Sequence, residues 1–435
     1  MTPSAIGFLG LLAILVLIAL RIPIAVVLIV VGSAGIGIVT DWPIALNFLT
    51  SLPFDFIASW QLSAVPMFLF MGAVAAQSGL STSIFKAGEI LLARLPGGLA
   101  VATNFAAALF AASSGSSTAT TVAIGRIAIP EMLRVGYDRG LAVAVCASAG
   151  TLGSLIPPSI MMIIYCTFTG QSVIALFAAG ILPGLLTAFI YAAMIVVRCA
   201  ANPKLAPRST VSFDEDDKAA ILREVWPLPL LVAIVIGGIY AGVFTPTEAG
   251  AAGSAATLVI CILLRRMSWT IFASALRDTA YATSAIFFIA IGAIILTRFM
   301  ALSGVPGAIS DFVSYADFGP TALILCAFVV YLVLGCFLEP IGIMLLTIPV
   351  LLPALQEQGV NLILFGILMV KYLEIGLLTP PVGLNVFAAK SLVGDEVPLG
   401  LIFKGIGWFI VCEVIVVALL IIFPEISLYL PSLIR

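Results

Sequence analysis

Long stretches without a charged residue constrain this chain more than any other feature of its sequence. The longest covers residues 140–197, where 58 consecutive residues include no Asp, Glu, Lys or Arg. Such a stretch is long enough for two membrane-spanning helices of about 20 to 25 residues each. Charged residues make up 9% of the whole chain, against about 25% in typical soluble domains. A β-barrel would need short alternating segments, so we predict an all-α polytopic membrane protein.

The residues that the chain lacks exclude several kinds of function. It contains no His, which removes imidazole catalysis and His-ligated zinc or haem. The seven Cys residues are scattered through apolar segments without a CxxC pair, a pattern typical of buried structural side chains. GxSxG and HExxH patterns are absent as well, so an enzyme is not expected. A net charge of −2 gives no basic surface for nucleic acid.

Hydropathy divides the chain into two halves with the same order of segments. In the first half we predict spans within residues 1–80, an amphipathic stretch at 81–97, a hairpin at 98–133, a broken helix at 140–170 and a span at 173–198. A hydrophilic linker at 199–225 leads to spans and a second amphipathic stretch at 226–300, a hairpin at 320–356, a broken helix at 362–390 and a last span at 400–423. Each hairpin is long for one span and suits two half-length helices that meet at a tip. No basic residue precedes the first apolar run, and the first positive charge, Arg21, follows it. A cleaved leader has basic residues before its apolar run, so we expect a retained span.

Polar segments interrupt the apolar runs twice in each half. They cover residues 111–121 (AASSGSSTATT) and 150–160 (GTLGSLIPPSI), then 335–347 (GCFLEPIGIMLLT) and 376–387 (GLLTPPVGLNVF). The Pro-Pro pairs that begin at Pro157 and Pro380 lie 223 residues apart, and the same offset carries Gly115 into the LEP segment of the second hairpin. Lipid cannot satisfy a broken backbone. Interruptions at matching places in two halves therefore predict a transporter binding site.

The distribution of basic residues predicts the topology. Five spans and one hairpin per half make an odd number of crossings, so the second half must be inverted relative to the first. With the N-terminus on the periplasmic side, the cytoplasmic connections hold nearly all the basic residues: Arg21, Lys86, Arg94, Arg134, Arg139, Arg198, those in residues 201–224, Arg265, Arg266, Arg277 and Lys390. The opposite connections hold Asp41, Asp55, Asp311, Asp317 and Glu357. This bias follows the positive-inside rule and predicts that the two re-entrant hairpins enter from opposite sides.

Four serines surround a glycine at the centre of the first hairpin. In one interpretation, Ser113, Ser114, Ser116 and Ser117 ease close helix packing, a common role of small residues in membranes. In the other, Gly115 allows a tight tip, and freed carbonyls and hydroxyls provide the oxygen ligands that hard cations such as Na⁺ prefer. The length of the hairpin favours the second interpretation.

The Pro-Pro pairs provide the matching half of each site. Pro157 and Pro158 remove two backbone donors and prevent a regular helix, and Pro157 biases Ile156 away from helical dihedral angles. We therefore expect free carbonyls at Thr151, Leu152, Gly153 and Leu155. The same pattern recurs at residues 376–382.

Charged residues inside the apolar segments are the remaining candidates. Glu339, at the tip of the second hairpin, is either a proton or cation ligand or an acceptor of backbone N–H bonds that fixes the tip. Arg298 either binds a substrate carboxylate through its guanidinium or extends to the outer interface. Arg126, Lys371, Glu374 and Glu248 are weaker cases. Lys371 and Glu374, three residues apart, are expected to neutralise each other on one helix face.

The chain resembles a known family through five ordered motifs: SSGSSTATTVAIG, GTLGSLIPPSI, FTPTEAGAAGS, LEPIGIMLLTIPVLLP and GLLTPPVGLNVF. They are similar to the large membrane subunit (M or DctM type) of tripartite ATP-independent periplasmic (TRAP) transporters, over essentially the whole chain. The resemblance implies an elevator-type fold of the ion-transporter superfamily, with hairpins and broken helices in a transport domain and the remaining spans and arm helices in a scaffold. It also implies Na⁺-driven uptake of organic acids, such as C4-dicarboxylates or sialic acid, across the bacterial inner membrane. A separate small membrane subunit (Q type) and a periplasmic substrate-binding protein (P type) would complete the system.

The resemblance also implies two cation sites and a substrate site. The first Na⁺ site would use Ser113, Ser114, Ser116, Thr151, Gly153, Leu155 and Pro157, and the second Gly335, Glu339, Gly376, Thr379 and Val382. The substrate would meet Ser116, Ser117, Pro158, Ser159, Arg298 and Pro381. The leading interpretation is Na⁺-coupled uptake of a small organic acid by an elevator mechanism. The alternative is a stand-alone Na⁺/dicarboxylate symporter of the same superfamily, which needs no binding protein.

Overall fold

The computed structural model describes residues 2–207, 221, 224–316 and 318–434. These residues form helices joined by short connections, with no β-strand among them. The first half contains α1 Pro3–Ala19, α2 Ile24–Val39, α3 Trp42–Ile57, α4 Ala64–Gln77, α5 Leu80–Leu92, α6 Gly98–Ser114, α7 Ser117–Val135, α8 Arg139–Leu155, α9 Ile160–Thr169 and α10 Val173–Ala201. The second half contains α11 Pro227–Tyr240, α12 Pro246–Leu263, α13 Trp269–Ser303, α14 Val305–Tyr315, α15 Pro320–Gly335, α16 Pro340–Glu357, α17 Leu362–Leu378, α18 Leu384–Lys390, α19 Leu399–Ile422 and α20 Glu425–Leu433.

Apolar helices occupy the positions that hydropathy predicted, and several are long enough to cross a membrane. The predicted all-α membrane class is therefore confirmed. Local signals explain many helix ends. Side chains that accept hydrogen bonds from the first turn begin α1, α3, α8, α10 and α12, namely Thr2, Asp41, Asp138, Ser172 and Thr245. Gly136, Gly170 and Gly304, all in the left-handed conformation, end α7, α9 and α13.

α14 and α20 lie outside the predicted segments, and α3 was not predicted as a separate span within residues 1–80. Asp41 caps α3 through a hydrogen bond from Ile44 N (2.8 Å), and Asn47, Pro53 and Asp55 interrupt its apolar sequence, so hydropathy alone did not locate it. The amphipathic stretch of the second half was expected to be separate from the span that follows it. Both lie instead in α13, one helix of 35 residues, about 52 Å long. Neither Gly nor Pro stands between Trp269 and Ala282 to end the helix. Most of the predicted linker, residues 208–220 and 222–223, lies outside the described residues, as does Asp317.

The two broken helices lie at the centre of the bundle. Every residue of α8 from Gly140 to Leu155 is buried, and so is every residue of α17 from Leu364 to Leu378. α8 packs against α6, α7 and α19, while α17 packs against α10, α15 and α19. The long helix α13 runs along α2 and α4. Both breaks thus follow helices that are surrounded by protein, where an irregular backbone is tolerated inside a membrane.

Candidate functional site

The tip of the first hairpin joins α6 to α7 through Gly115 and Ser116. Gly115 has a φ of +61°, a left-handed conformation that glycine adopts without steric cost. α6 ends at Ser114, and Ser116 caps α7 by accepting a hydrogen bond from Ala119 N (3.5 Å). The hydroxyls of Ser114 and Thr120 lie 2.7 Å apart, and Thr120 donates to the carbonyl of Ser116 (2.8 Å). Hydroxyl groups of the hairpin itself therefore fix the tip.

This tip is in direct contact with the first Pro-Pro break. Ile160 N donates to the carbonyl of Gly115 (3.3 Å). A β-carbon on Gly115 would lie 2.8 Å from the carbonyl oxygen of Pro158, and one on Gly153 would lie 2.4 Å from the carbonyl oxygen of Ser116. Real β-carbons essentially never approach a neighbour so closely, so the two glycines set the distance between tip and break.

The second hairpin meets the second break in the same manner. α15 ends at Gly335, and Glu339 caps α16 by accepting a hydrogen bond from Gly342 N (3.3 Å). A β-carbon on Gly376 of α17 would lie 2.6 Å from the Cα atom of Gly335. Of the two roles that the sequence left open for Glu339, the structure therefore shows the acceptance of a backbone N–H bond at the tip.

A cavity of about 420 Å³ lies between the two tips. Ser117, Ile160 and Ser116 line it from the first hairpin and break, and Pro340, Leu384 and Glu339 line it from the second. Residues of α13, including Ile286, form an apolar wall. The first residues of α7, α9, α16 and α18 thus reach one cavity. Helix N-termini carry partial positive charge, which favours an anion.

A second cavity of about 540 Å³ adjoins the first, and both are lined by Ser116 and Thr118. Its wall is more polar. Arg126 on α7 reaches it, together with Gln77 and Asp278, and Gln77 Nε2 donates to Asp278 Oδ2 (2.7 Å). Arg126, a weaker candidate from the sequence, therefore lies beside the polar cavity next to the first tip.

Some predicted ligands donate to backbone carbonyls close to them in the chain. Within a helix or at its end, Ser113 Oγ donates to the carbonyl of Phe110 (2.8 Å), Thr151 Oγ1 to that of Ser148 (2.6 Å) and Thr379 Oγ1 to that of Ile375 (2.7 Å). Across the first break, Ser159 Oγ donates to the carbonyl of Ser154. The prediction of a free carbonyl at Leu152 is wrong, because this carbonyl accepts from Ile156 N (2.9 Å). α8 keeps its last helical bond up to the break. Ile156 itself has the extended conformation that the following proline favours, with φ −77° and ψ 124°.

The structure does not bring Arg298 to either cavity. The side chain is exposed on α13, about 2.5 turns beyond Ile289, which lines the first cavity. No ion pair of Arg298 occurs within the described ranges. Its position corresponds to the alternative in which the side chain extends towards an interface. Pro380 and Pro381 of the second break, and Val382 after them, do not line the cavity.

Sequence reasoning missed Asn385, which connects the two halves. It is fully buried on α18, and its Nδ2 atom donates to Ser117 Oγ (2.6 Å) and to the carbonyl of Ala147 (3.3 Å). Its Oδ1 atom has no hydrogen-bond partner in the part of the chain that the structure describes, nor do Thr121 Oγ1 and Ser148 Oγ nearby on α7 and α8. Buried oxygen atoms without donors fit a hard cation. The LN pair in the GLNVF motif was the available signal, since a polar amide in an apolar run needs partners.

Paired helical hairpins around a cavity inside a bundle of apolar helices define a membrane transporter. The fold is similar to that of the YdaH transporter from Alcanivorax borkumensis, with a TM-score of 0.65, 16% identity and 88% of each chain covered. Residues 11–426 match the family described as the DctM component of tripartite ATP-independent periplasmic transporters. The chain belongs to this family, the large membrane subunits of TRAP transporters, and is not an enzyme.

Two relatives illustrate the range of the family. The chain is 35% identical over 402 residues to the C4-dicarboxylate TRAP transporter large permease protein DctM of Pseudomonas aeruginosa, covering 92% of this chain and 93% of that one. It is 30% identical over 439 residues to the sialic acid TRAP transporter large permease protein SiaM of Vibrio cholerae, covering 100% and 99%. The shared family is therefore compatible with different cargoes.

Proposed function

We propose that the chain is the transport subunit for Na⁺-coupled uptake of a small organic acid across the bacterial inner membrane. The observation that carries this proposal is the cavity between the two hairpin tips, where four interrupted segments of the sequence meet. Relatives described as carriers of a C4-dicarboxylate and of sialic acid support a carboxylate cargo.

The carboxylate of the cargo would bind at the helix N-termini. Ser117 and Ile160 are the first residues of α7 and α9, and both line the cavity, whereas the Glu339 carboxylate already caps α16. The helix dipole stabilises an anion at such positions, typically by about 0.3–1 kcal/mol per helix when exposed. Binding in this manner needs no arginine, so it is independent of Arg298.

Na⁺ would bind on the other side of the tips, at the C-terminal ends of half-length helices. α6, α8, α15 and α17 end at Ser114, Leu155, Gly335 and Leu378, next to the tips and breaks. Carbonyl groups at helix C-termini coordinate Na⁺ in transporters with broken helices. The buried oxygens of Thr121, Ser148 and Asn385 add ligands of the same hard type beside the first tip.

The two halves would be inverted repeats that move as an elevator. The order hairpin, broken helix, long helix occurs in both halves, as α6–α10 and as α15–α19. The positive-inside bias predicts a periplasmic N-terminus and hairpins that enter from opposite sides. In this arrangement the hairpins and broken helices form the transport domain, and α2, α4 and α13 belong to the scaffold. Alternating access follows when the former slides past the latter.

A small membrane subunit and a periplasmic substrate-binding protein would complete the transporter. Membership of a family described as tripartite supports both partners. The alternative is a stand-alone symporter that accepts its cargo directly. Uptake that requires an added binding protein favours the tripartite system, and uptake without one favours the alternative.

The test of coupling is uptake into proteoliposomes that contain the chain and its partners. Radiolabelled C4-dicarboxylates and sialic acid are supplied with an inward Na⁺ gradient or an equal K⁺ gradient at neutral pH. We expect uptake with Na⁺ and almost none with K⁺. Equal uptake under both gradients would remove Na⁺ coupling from the proposal.

A further inference from the structure

A cluster of charged side chains lies inside the bundle, apart from both cavities. Lys371 and Glu374 on α17 and Glu413 on α19 are all fully buried, with no exposed side-chain surface. Lys371 Nζ lies 2.9 Å from Glu374 Oε2 and also contacts Glu413 Oε2. The first pair was expected from the sequence and is confirmed. The second carboxylate, 39 positions further along the chain, was not expected.

The lysine is satisfied as a cation. Its ammonium group donates to Glu374 Oε2 (2.9 Å) and to Thr187 Oγ1 (3.3 Å), and it forms an ion pair with Glu413 Oε2. Thr187 uses its own proton to donate to the carbonyl of Pro183 (2.8 Å). Lys371 is therefore an ammonium group, and the cluster has one positive charge against two carboxylates.

Two ionised carboxylates would leave one negative charge uncompensated in the protein interior. Such a charge is strongly unfavourable in a dry environment unless a cation or a proton neutralises it. Like charges that share a site also favour protonation of one member. The charge balance thus requires one further positive charge at this position.

The hydrogen bonds distinguish the two carboxylates. Glu413 accepts from the phenol of Tyr191 on α10 through Oε1 and forms an ion pair with Lys371 through Oε2, and both contacts stabilise the ionised form. Glu374 accepts from Lys371 alone. Its second oxygen, Oε1, is buried and has no hydrogen-bond partner among the residues that the structure describes.

We infer that Lys371, Glu374 and Glu413 form a buried proton-binding site in which Glu374 carries the proton on Oε1. The proton makes the cluster neutral, with Glu413 ionised between the ammonium and the phenol. Glu374 lies one turn before the second break, and Tyr191 is adjacent to Thr151 beside the first break. The site therefore joins the helices that support both breaks.

No other charged group within the described ranges competes for Glu374. The groups that face it are Lys371, Glu413 and Tyr191. Ionisable groups on the other helices packed against α17 have other surroundings. Glu425 and Lys404 are exposed, and Arg198 on α10 lies over the ring of Trp408, 4.9 Å from Cζ to the centroid. The others are bonded elsewhere: Arg139 to the carbonyl of Glu396, Tyr165 to that of Leu362, Lys390 to those of Gly394 and Val397, Tyr331 to Thr347, and Glu357 to Ser310.

Infrared spectroscopy of the purified full chain in lipid tests the assignment. At neutral pH we expect a band of a protonated carboxylic acid that is lost in Glu374→Gln. Lys371→Met should strengthen the band, because both carboxylates then need a proton. Glu425→Gln, on the exposed surface, is the matched control and should leave the band unchanged. The absence of a Glu374-dependent band in the wild-type chain would overturn the proposal.

Thermal unfolding supplies the second readout. Glutamine imitates a protonated glutamate, so Glu374→Gln should melt close to the wild-type temperature at neutral pH, and Glu413→Gln should melt lower. At alkaline pH, loss of the proton should lower the melting temperature of the wild type more than that of Glu374→Gln. Equal alkaline losses in both chains would overturn the proposal. A second result would also overturn it: a wild-type melting temperature that depends on Na⁺, together with no carboxylic acid band. A metal cation would then neutralise the cluster in place of the proton.

Discussion

Gly153→Ala tests whether the contact between the first tip and the first break is part of the cation site. The added β-carbon would lie 2.4 Å from the carbonyl oxygen of Ser116 and 2.6 Å from Thr120 Oγ1. Ordinary contacts begin at 3.4 Å, so the tip must move by about 1 Å. Overpacking of this kind costs typically about 1–3 kcal/mol. If Na⁺ binding holds tip and break together, this cost weakens Na⁺ binding by about 5- to 150-fold.

The assay is the melting temperature of the purified chain as a function of Na⁺ concentration, with K⁺ replacing Na⁺ at constant ionic strength. Binding to the folded state stabilises it by RT ln(1 + [Na⁺]/Kd), so the rise of the melting temperature with Na⁺ concentration gives the dissociation constant. Gly407→Ala is the matched control, because a β-carbon there meets no atom within 4 Å. A folded Gly153→Ala variant with the Na⁺ dependence of the wild type would refute the reasoning.

Three further perturbations address the second half and its connection to the first. Asn385→Ala removes both bonds from Nδ2 and should lower the free energy of unfolding by about 1–3 kcal/mol; an unchanged melting temperature would contradict this. Gly376→Ala directs a β-carbon at the backbone of Gly335, 2.6 Å away, and should cost about 1–3 kcal/mol and slow uptake, unlike Gly407→Ala. Glu339→Ala removes the cap of α16 at a cost of about 0.5–2 kcal/mol, whereas Glu339→Asp should retain it; equal melting temperatures of the two variants would argue against the capping role.

The sequence was sufficient to predict the helices whose signals are local. Hydropathy located the apolar spans, and Gly115 together with the Pro-Pro pairs located the tips and breaks, since each of these residues limits its own backbone. The prediction failed where the sequence contains no residue that ends a helix. α13 continues through a polar stretch because nothing in that stretch ends a helix, and composition alone cannot distinguish a continuous helix from two helices.

Contacts between segments distant in the chain were harder to predict from the sequence. The pair Lys371 and Glu374 was visible at helical spacing, but Glu413 and Tyr191 come from helices that pack there only in the folded chain. Asn385 was inconspicuous for the same reason, because its partners Ser117 and Ala147 lie in the other half. Arg298 was a candidate because it is a charged residue in an apolar segment. Its distance from the cavities depends on how α13 packs, which the sequence does not reveal.

Thiol labelling of Thr118→Cys measures most directly whether the cavity between the tips is the transport site. Thr118 is exposed and lines both cavities. The exposed Cys326 is replaced by Ser in the background, and Ser432→Cys on the outer surface serves as the control. We predict that Na⁺ together with the acid that the proteoliposomes take up slows labelling at position 118 and leaves labelling at position 432 unchanged. Labelling of position 118 at the same rate with and without Na⁺ and that acid would contradict the account.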